Sequence, residues 1–79
     1  PVKRSHPGLL RNILATNIRR CRLERGVSQQ DFALEIEMGR TYYGGVERGE
    51  RNISIDNIER IAKGLEVSPY VLLKDAKAD

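Results

Sequence analysis

Asp56 and Glu59 stand one helical turn apart, the spacing at which two carboxylates can share a metal ion, but neither histidine nor cysteine lies near them in sequence. His6 is the one histidine and sits in the opening segment. Cys21 is the one cysteine. A single cysteine excludes an internal disulfide and a multi-cysteine zinc site, and its helical surroundings predict a small buried hydrophobe. Bond-making chemistry is therefore not expected, and the chain reads as no enzyme, with no cofactor and no metal. Charge is the stronger signal. Lys3, Arg4, Arg11, Arg19, Arg20, Arg22 and Arg25 are opposed only by Glu24 in the first 25 residues. Such a basic front fits a polyanion partner, and it also fits a plain solvated helix face.

The rest of the composition narrows the class. The chain has 79 residues, a net charge of +3 and 32% charged residues, with no apolar run near the roughly 20 residues that span a membrane. The opening PVKRSHPG has no apolar segment behind it and does not read as a signal peptide. The expectation is a cytoplasmic protein of one domain at 9–79, preceded by a flexible basic arm at 1–8. A core this small favours self-association.

The elements that must carry these residues are helical. Leu10, Leu14, Ile18 and Cys21 mark one face of a first helix over 9–25, which Gly26 ends. Ser28 caps a second helix of about 28–36, with Asp31 at its positive end and Phe32, Ala33 and Ile36 as its stripe. The small Ala33 either lets the second helix approach the third closely or serves only as a good helix former. After the break EMG the pattern resumes in RTYYGGVERG, where the adjacent Gly44 and Gly45 each cost about 1 kcal/mol relative to alanine in a helix interior. ERNIS reads as a loop. Ser54 caps a fourth helix with Ile58, Ile61, Ala62 and Leu65 inward, and Ser68 with Pro69 opens a fifth through Tyr70, Val71, Leu72 and Leu73.

The ordered set SQQ, the small alanine, VERG, RNIS and IAKGLEVSP, with the preceding IRRCRLERG, resembles the lambda repressor and Cro (Xre) helix-turn-helix family. RTYYGGVERGERN is also similar to the controller proteins of restriction-modification operons, a branch of that family. The resemblance implies an all-α, five-helix fold in which the second and third helices form the helix-turn-helix and the third enters the DNA major groove. It places Arg40 and Thr41 at base edges, with Gly44 and Gly45 on the same side one turn later. Arginine can donate two bonds to guanine and a threonine methyl can touch that of thymine. The two glycines would then let backbone and DNA come closer, or leave bases unread, or merely bend the helix. Gln29 would meet a phosphate and brace Arg40, Gly39, Tyr42, Arg48 and Asn52 would lie near the DNA backbone, and Tyr43 and Val46 would pack inward.

Some positions depart from the family pattern. Glu37 stands where the turn usually has glycine, so that either a non-glycine residue adopts a left-handed backbone there or the turn differs slightly, and the same change recurs at Glu66 between the fourth and fifth helices. Gly39 replaces the usual serine or threonine cap, and Gly45 a residue that often carries a base-reading side chain.

The implied function is a sequence-specific transcription regulator, a homodimer on a palindromic operator, acting as repressor or autoregulator. Its partner is double-stranded DNA, with no membrane and no small-molecule ligand. The dimer contact is expected on the fifth helix at Tyr70 and Leu73, although the Tyr70 ring could instead close the domain's own core. A second class is an antitoxin-like interaction protein whose DNA contact is secondary.

Overall fold

The computed structural model describes residues 8–75, and these form α1 (Leu9–Arg25), α2 (Gln29–Glu35), α3 (Arg40–Glu47), α4 (Ile55–Leu65) and α5 (Pro69–Leu73), with no strand among them. The expected arm at 1–8, apart from Gly8, lies outside the described residues, and Lys3, Arg4 and His6 lie there with it.

Local chemistry sets most of the boundaries. Gly26 ends α1 at φ 73°, a left-handed turn that costs glycine little, and the N–H groups of Gly26 and Val27 reach back to the carbonyls of Leu23 and Arg22. Ser28 Oγ accepts from the Asp31 N–H at 3.0 Å and Ser54 Oγ from the Asn57 N–H at 3.1 Å, so α2 and α4 both start on a serine cap. Ser68 holds the corresponding position before α5 with Pro69 behind it, but its side chain makes no capping bond. Glu37 and Glu66 adopt φ 57° and 60°, the left-handed conformation that their positions call for in place of glycine. Each such residue carries a steric cost of roughly 1 to 2 kcal/mol.

The core gathers one stripe from each helix. Ile18, Phe32, Tyr43, Ile61 and Leu72 are its largest fully buried side chains, one from each of the five helices. The Phe32 and Tyr43 rings meet at 5.4 Å between centroids and an interplanar angle of 58°, the tilted arrangement that aromatic quadrupoles favour. Ala33 is buried where α2 meets α3, and its carbonyl accepts from the Met38 N–H at 2.9 Å. Gly64 does the same service for α4. A Cβ at Gly64 would stand 2.5 Å from Ile36 Cγ2 and 3.2 Å from the Phe32 ring, so α4 crosses α2 at a distance no larger residue permits. Cys21 is buried with a free thiol. Among the described residues, no helix is long and apolar enough to cross a membrane.

Candidate nucleic-acid interface

α3 divides its residues sharply between inside and outside. Tyr43 and Val46 are buried, as is Glu47, while Arg40 and Thr41 at its start are exposed. Gly39 occupies the N-cap without a side-chain oxygen to offer, and its carbonyl accepts the Tyr43 N–H at 2.8 Å.

The buried side of α3 is anchored by charge. Arg22 reaches from α1 and donates from Nε to Glu47 Oε2 at 2.6 Å and from Nη2 to Oε1 at 3.1 Å, while its Nη1 donates to the Val27 carbonyl at 2.8 Å. The Tyr43 hydroxyl and Gln29 Nε2 also donate to the Glu47 carboxylate, which therefore holds hydrogen bonds from three side chains. Burial pushes the Glu47 carboxyl up, but the bonds from Arg22, Tyr43 and Gln29 and the Arg22 charge outweigh it, and the group titrates below the usual carboxylate range. Burial, with the bond to Glu47 behind it, lifts the Tyr43 phenol well above the ordinary tyrosine value, so it stays a donor. The bond to Glu47 likewise raises the Arg22 guanidinium despite desolvation. Every buried side-chain nitrogen and oxygen among the described residues has a partner.

This corrects the basic front in one place. Arg22 belongs to the interior, not to a cationic surface; by spacing it follows Ile18 by four residues and so falls on the apolar face, which was the signal available in the sequence. Arg25 is exposed but also engaged: its Nη1 donates to the Gly64 carbonyl at 2.6 Å and its Nη2 pairs with Glu35 at 3.3 Å. Arg19 and Arg20 remain exposed.

On the outward side, Arg40 borders a shallow hollow with Gln30, Leu34 and Met38. Gln29, expected to brace Arg40, donates instead to Glu47. The strip expected to be bare at Gly44 and Gly45 is closed in this structure by neighbouring side chains. A Cβ at Gly44 would lie 3.1 Å from Arg48 Nη1 and 3.3 Å from Gln29 Oε1. At Gly45 it would lie 2.9 Å from Arg51 Nε and 3.0 Å from its Cγ. The Arg51 guanidinium rests 5.5 Å from the centre of the Tyr42 ring, a cation–π distance. The Tyr42 hydroxyl in turn accepts from Asn57 Nδ2 on α4 at 3.3 Å. Arg48 pairs with Glu50 at 3.1 Å on the exposed surface. Arg48 and Arg51 thus lie over Gly44 and Gly45, with Arg40 and Thr41 exposed at the start of the same helix, while Asn52 is exposed in the loop that follows. Arg51 carried no assignment in the sequence reading.

The other expected surface lies at α5. Tyr70 is 72% exposed, so its ring does not close the core. Leu72 fills that place and is fully buried. Leu73 is half-buried and, with Leu10, Leu14, Ile53 and Ile58, lines an open apolar groove of about 230 Å³ that Asn52 also borders.

The five-helix fold is shared with known proteins. The profile of a helix-turn-helix family, HTH_3, matches residues 18–72, which contain the whole of α2 to α4, the second half of α1 and all but the last residue of α5. Control protein C.BamHI of Bacillus amyloliquefaciens is 43% identical over 65 residues, covering 81% of this chain and 80% of that one. The crystal structure of a hypothetical transcription factor from Neisseria superposes with a TM-score of 0.85 at 38% identity, covering 98% of this chain and 88% of the other. The restriction-modification controller protein C.Esp1396I, solved as a tetramer in complex with its natural 35 base-pair operator, superposes with a TM-score of 0.74 at 42% identity over 81% of this chain and 84% of that one.

Proposed function

The chain belongs to the helix-turn-helix family, and on that premise we propose that it is a sequence-specific DNA-binding transcription regulator of the restriction-modification controller kind, a homodimer on a palindromic operator that acts as repressor or autoregulator. One observation carries the reading. The helix that follows the turn is locked from behind by Glu47 and Arg22 and leaves Arg40 and Thr41 exposed at its first two positions. A rigid helix with a donor fork and a methyl at its start is equipped to read base edges in a major groove. The operator-bound C.Esp1396I, with the same fold, supports that role.

In this reading Arg40 and Thr41 read bases, with Gly44 and Gly45 beside them, and Gln29, Gly39, Tyr42, Arg48 and Asn52 stand along the DNA backbone. Tyr70 and Leu73 form the self-contact, which sets two recognition helices about 34 Å apart for half-sites one turn apart. The domain at 9–79 thereby does both jobs, with 1–8 as a basic arm.

Selection of bound sites from random duplexes tests it. The wild-type protein is expected to enrich a two-fold related sequence, and Arg40→Ala to lose preference at one position in each half-site, worth roughly 1 to 3 kcal/mol. Binding is expected to weaken by roughly a thousandfold or more between 50 and 200 mM salt if six or more phosphates are neutralised. Enrichment of nothing, with a flat salt response, would remove DNA as the partner and leave the antitoxin-like reading.

A further inference from the structure

α5 is the weakest element of the fold by its own resources. It has five residues, too few for a helix to hold itself together, and the side chain of its N-cap Ser68 makes no capping bond. Only Leu72 among its residues is fully buried. The carbonyls of a last turn have no partner within their own helix. In α5 one of these, with the carbonyl of the C-cap Lys74, is met from outside. Asn17, in the middle of α1 and 2% exposed, donates from Nδ2 to the Leu72 carbonyl at 2.8 Å and to the Lys74 carbonyl at 2.9 Å. Its Oδ1 accepts from Arg20 Nη1 at 3.1 Å. Both amide hydrogens and the amide oxygen are thus committed.

Asparagine is a poor helix former, and a buried amide is costly unless it is fully bonded. An apolar residue of that size would pack between α1 and α5 equally well. It would not fix where the chain goes after Leu72. The two bonds do this, spanning 55 and 57 residues of sequence.

Five residues along the same helix, Arg22 holds Glu47 on α3. α1 therefore carries the fastening points of both the recognition helix and α5 on one rigid stretch of less than two turns. We propose that Asn17 is a positioning residue for operator recognition: by fixing the direction of α5 relative to α3, it sets the half-site spacing that the dimer accepts. This rests on the homodimeric reading above, in which Tyr70 and Leu73 of α5 make the self-contact.

The partition of labour is specific. Arg22 governs whether α3 is held, and so whether a half-site is read at all. Asn17 governs only how two such readers are set apart. Loss of Asn17 frees α5 to pivot about Leu72, so the dimer loosens and tolerates spacings that the wild-type protein rejects.

The test uses the full chain, with Asn17→Ala and Asn17→Leu as a pair that brackets the side-chain volume, so that failure of one to fold leaves the other. Sedimentation at a series of concentrations gives the dimer dissociation constant. Titration of duplexes carrying the selected half-sites at the natural spacing, and with one or two base pairs inserted or removed, gives the spacing preference. Titration of a duplex with one half-site gives the reader alone. The expected result for the variants is a dimer weakened at least tenfold and a spacing preference reduced at least tenfold, with single half-site affinity within twofold of wild type. Arg22→Met, by contrast, is expected to weaken the single half-site. Variants that fold, dimerise and discriminate spacing as the wild-type protein does would overturn the inference. A wild-type protein that sediments as a monomer and binds one chain per site would instead overturn the dimeric reading on which it stands.

Discussion

Arg22 and Glu47 meet in a two-pronged ion pair across 25 residues of sequence, with Nε to Oε2 at 2.6 Å and side chains only 9% and 3% exposed. The pair joins the back of the recognition helix to α1, and its geometry matches a planar fork to a planar carboxylate. Breaking such a pair from one side strands the other charge.

Glu47→Ala is accordingly expected to cost roughly 3 to 5 kcal/mol of unfolding free energy, because the Arg22 guanidinium and the Tyr43 hydroxyl both lose their acceptor. Replacing both partners by apolar residues, Arg22→Met with Glu47→Leu, is expected to cost much less than either single change. Urea denaturation of the three variants checks this, and a double variant as unstable as Glu47→Ala would contradict it.

The same carboxylate sets an acid limit. Glu47 titrates below its unfolded value in the folded protein, so its contribution is fully present above the ordinary carboxylate range and is lost as pH falls through the depressed folded value. Urea midpoints taken from about pH 7 down to about pH 2 are expected to decline through and below the carboxylate range, and Glu47→Gln to decline less over the same window. Parallel curves would assign the acid sensitivity to other groups.

Glycines of α3 and α4 are expected to respond oppositely to alanine. At Gly64 the added methyl meets Ile36 at 2.5 Å with the Phe32 ring behind it, and overpacking there is expected to cost roughly 1 to 3 kcal/mol despite the better helix former. At Gly45 its nearest neighbours all belong to the exposed Arg51 side chain, which can swing off the half-buried Tyr42 ring, so up to about 1 kcal/mol of helix propensity is gained. Thermal unfolding of Gly64→Ala and Gly45→Ala decides, and a destabilised Gly45→Ala would mean that Arg51 cannot yield.

Tyr70→Asp is expected to leave the fold intact, since the ring is exposed, while lowering operator affinity by at least tenfold through loss of the dimer. Leu73→Asp is expected to lose stability as well, because Leu73 packs partly against the core. Sedimentation and melting of the two variants separate the effects; a Tyr70→Asp protein that remains dimeric moves the self-contact elsewhere.

Helix order and most caps were readable because local rules decide them: Gly26 after the last turn of α1, and Ser28 and Ser54 as caps, though Ser68 makes no capping bond; of the two turns open at Glu37, the structure takes the left-handed one, as it does at Glu66. What stayed hidden was polar. Asn17 and Arg22 follow the spacing of the buried stripe, yet their residue types suggest surface, and only their distant partners in α5 and α3 make burial tolerable. The covering of Gly45 by Arg51 was hidden for a related reason, since it depends on where a loop residue folds back in space. Burial of Leu72 with exposure of Tyr70 likewise follows from the angle at which α5 docks, which four consecutive apolar residues cannot specify.

The buried Tyr43, Val46 and Glu47, with Tyr42 bonded to Asn57, carry the attachment of α3 to the rest of the domain, whereas its first two side chains are exposed. Change at positions 40 and 41 therefore disturbs no buried packing. If these two side chains read bases as proposed, a duplicated gene could drift to a new address on the chromosome one codon at a time without repacking the core. Two descendants sharing one cell would then part company in target long before they differed in shape.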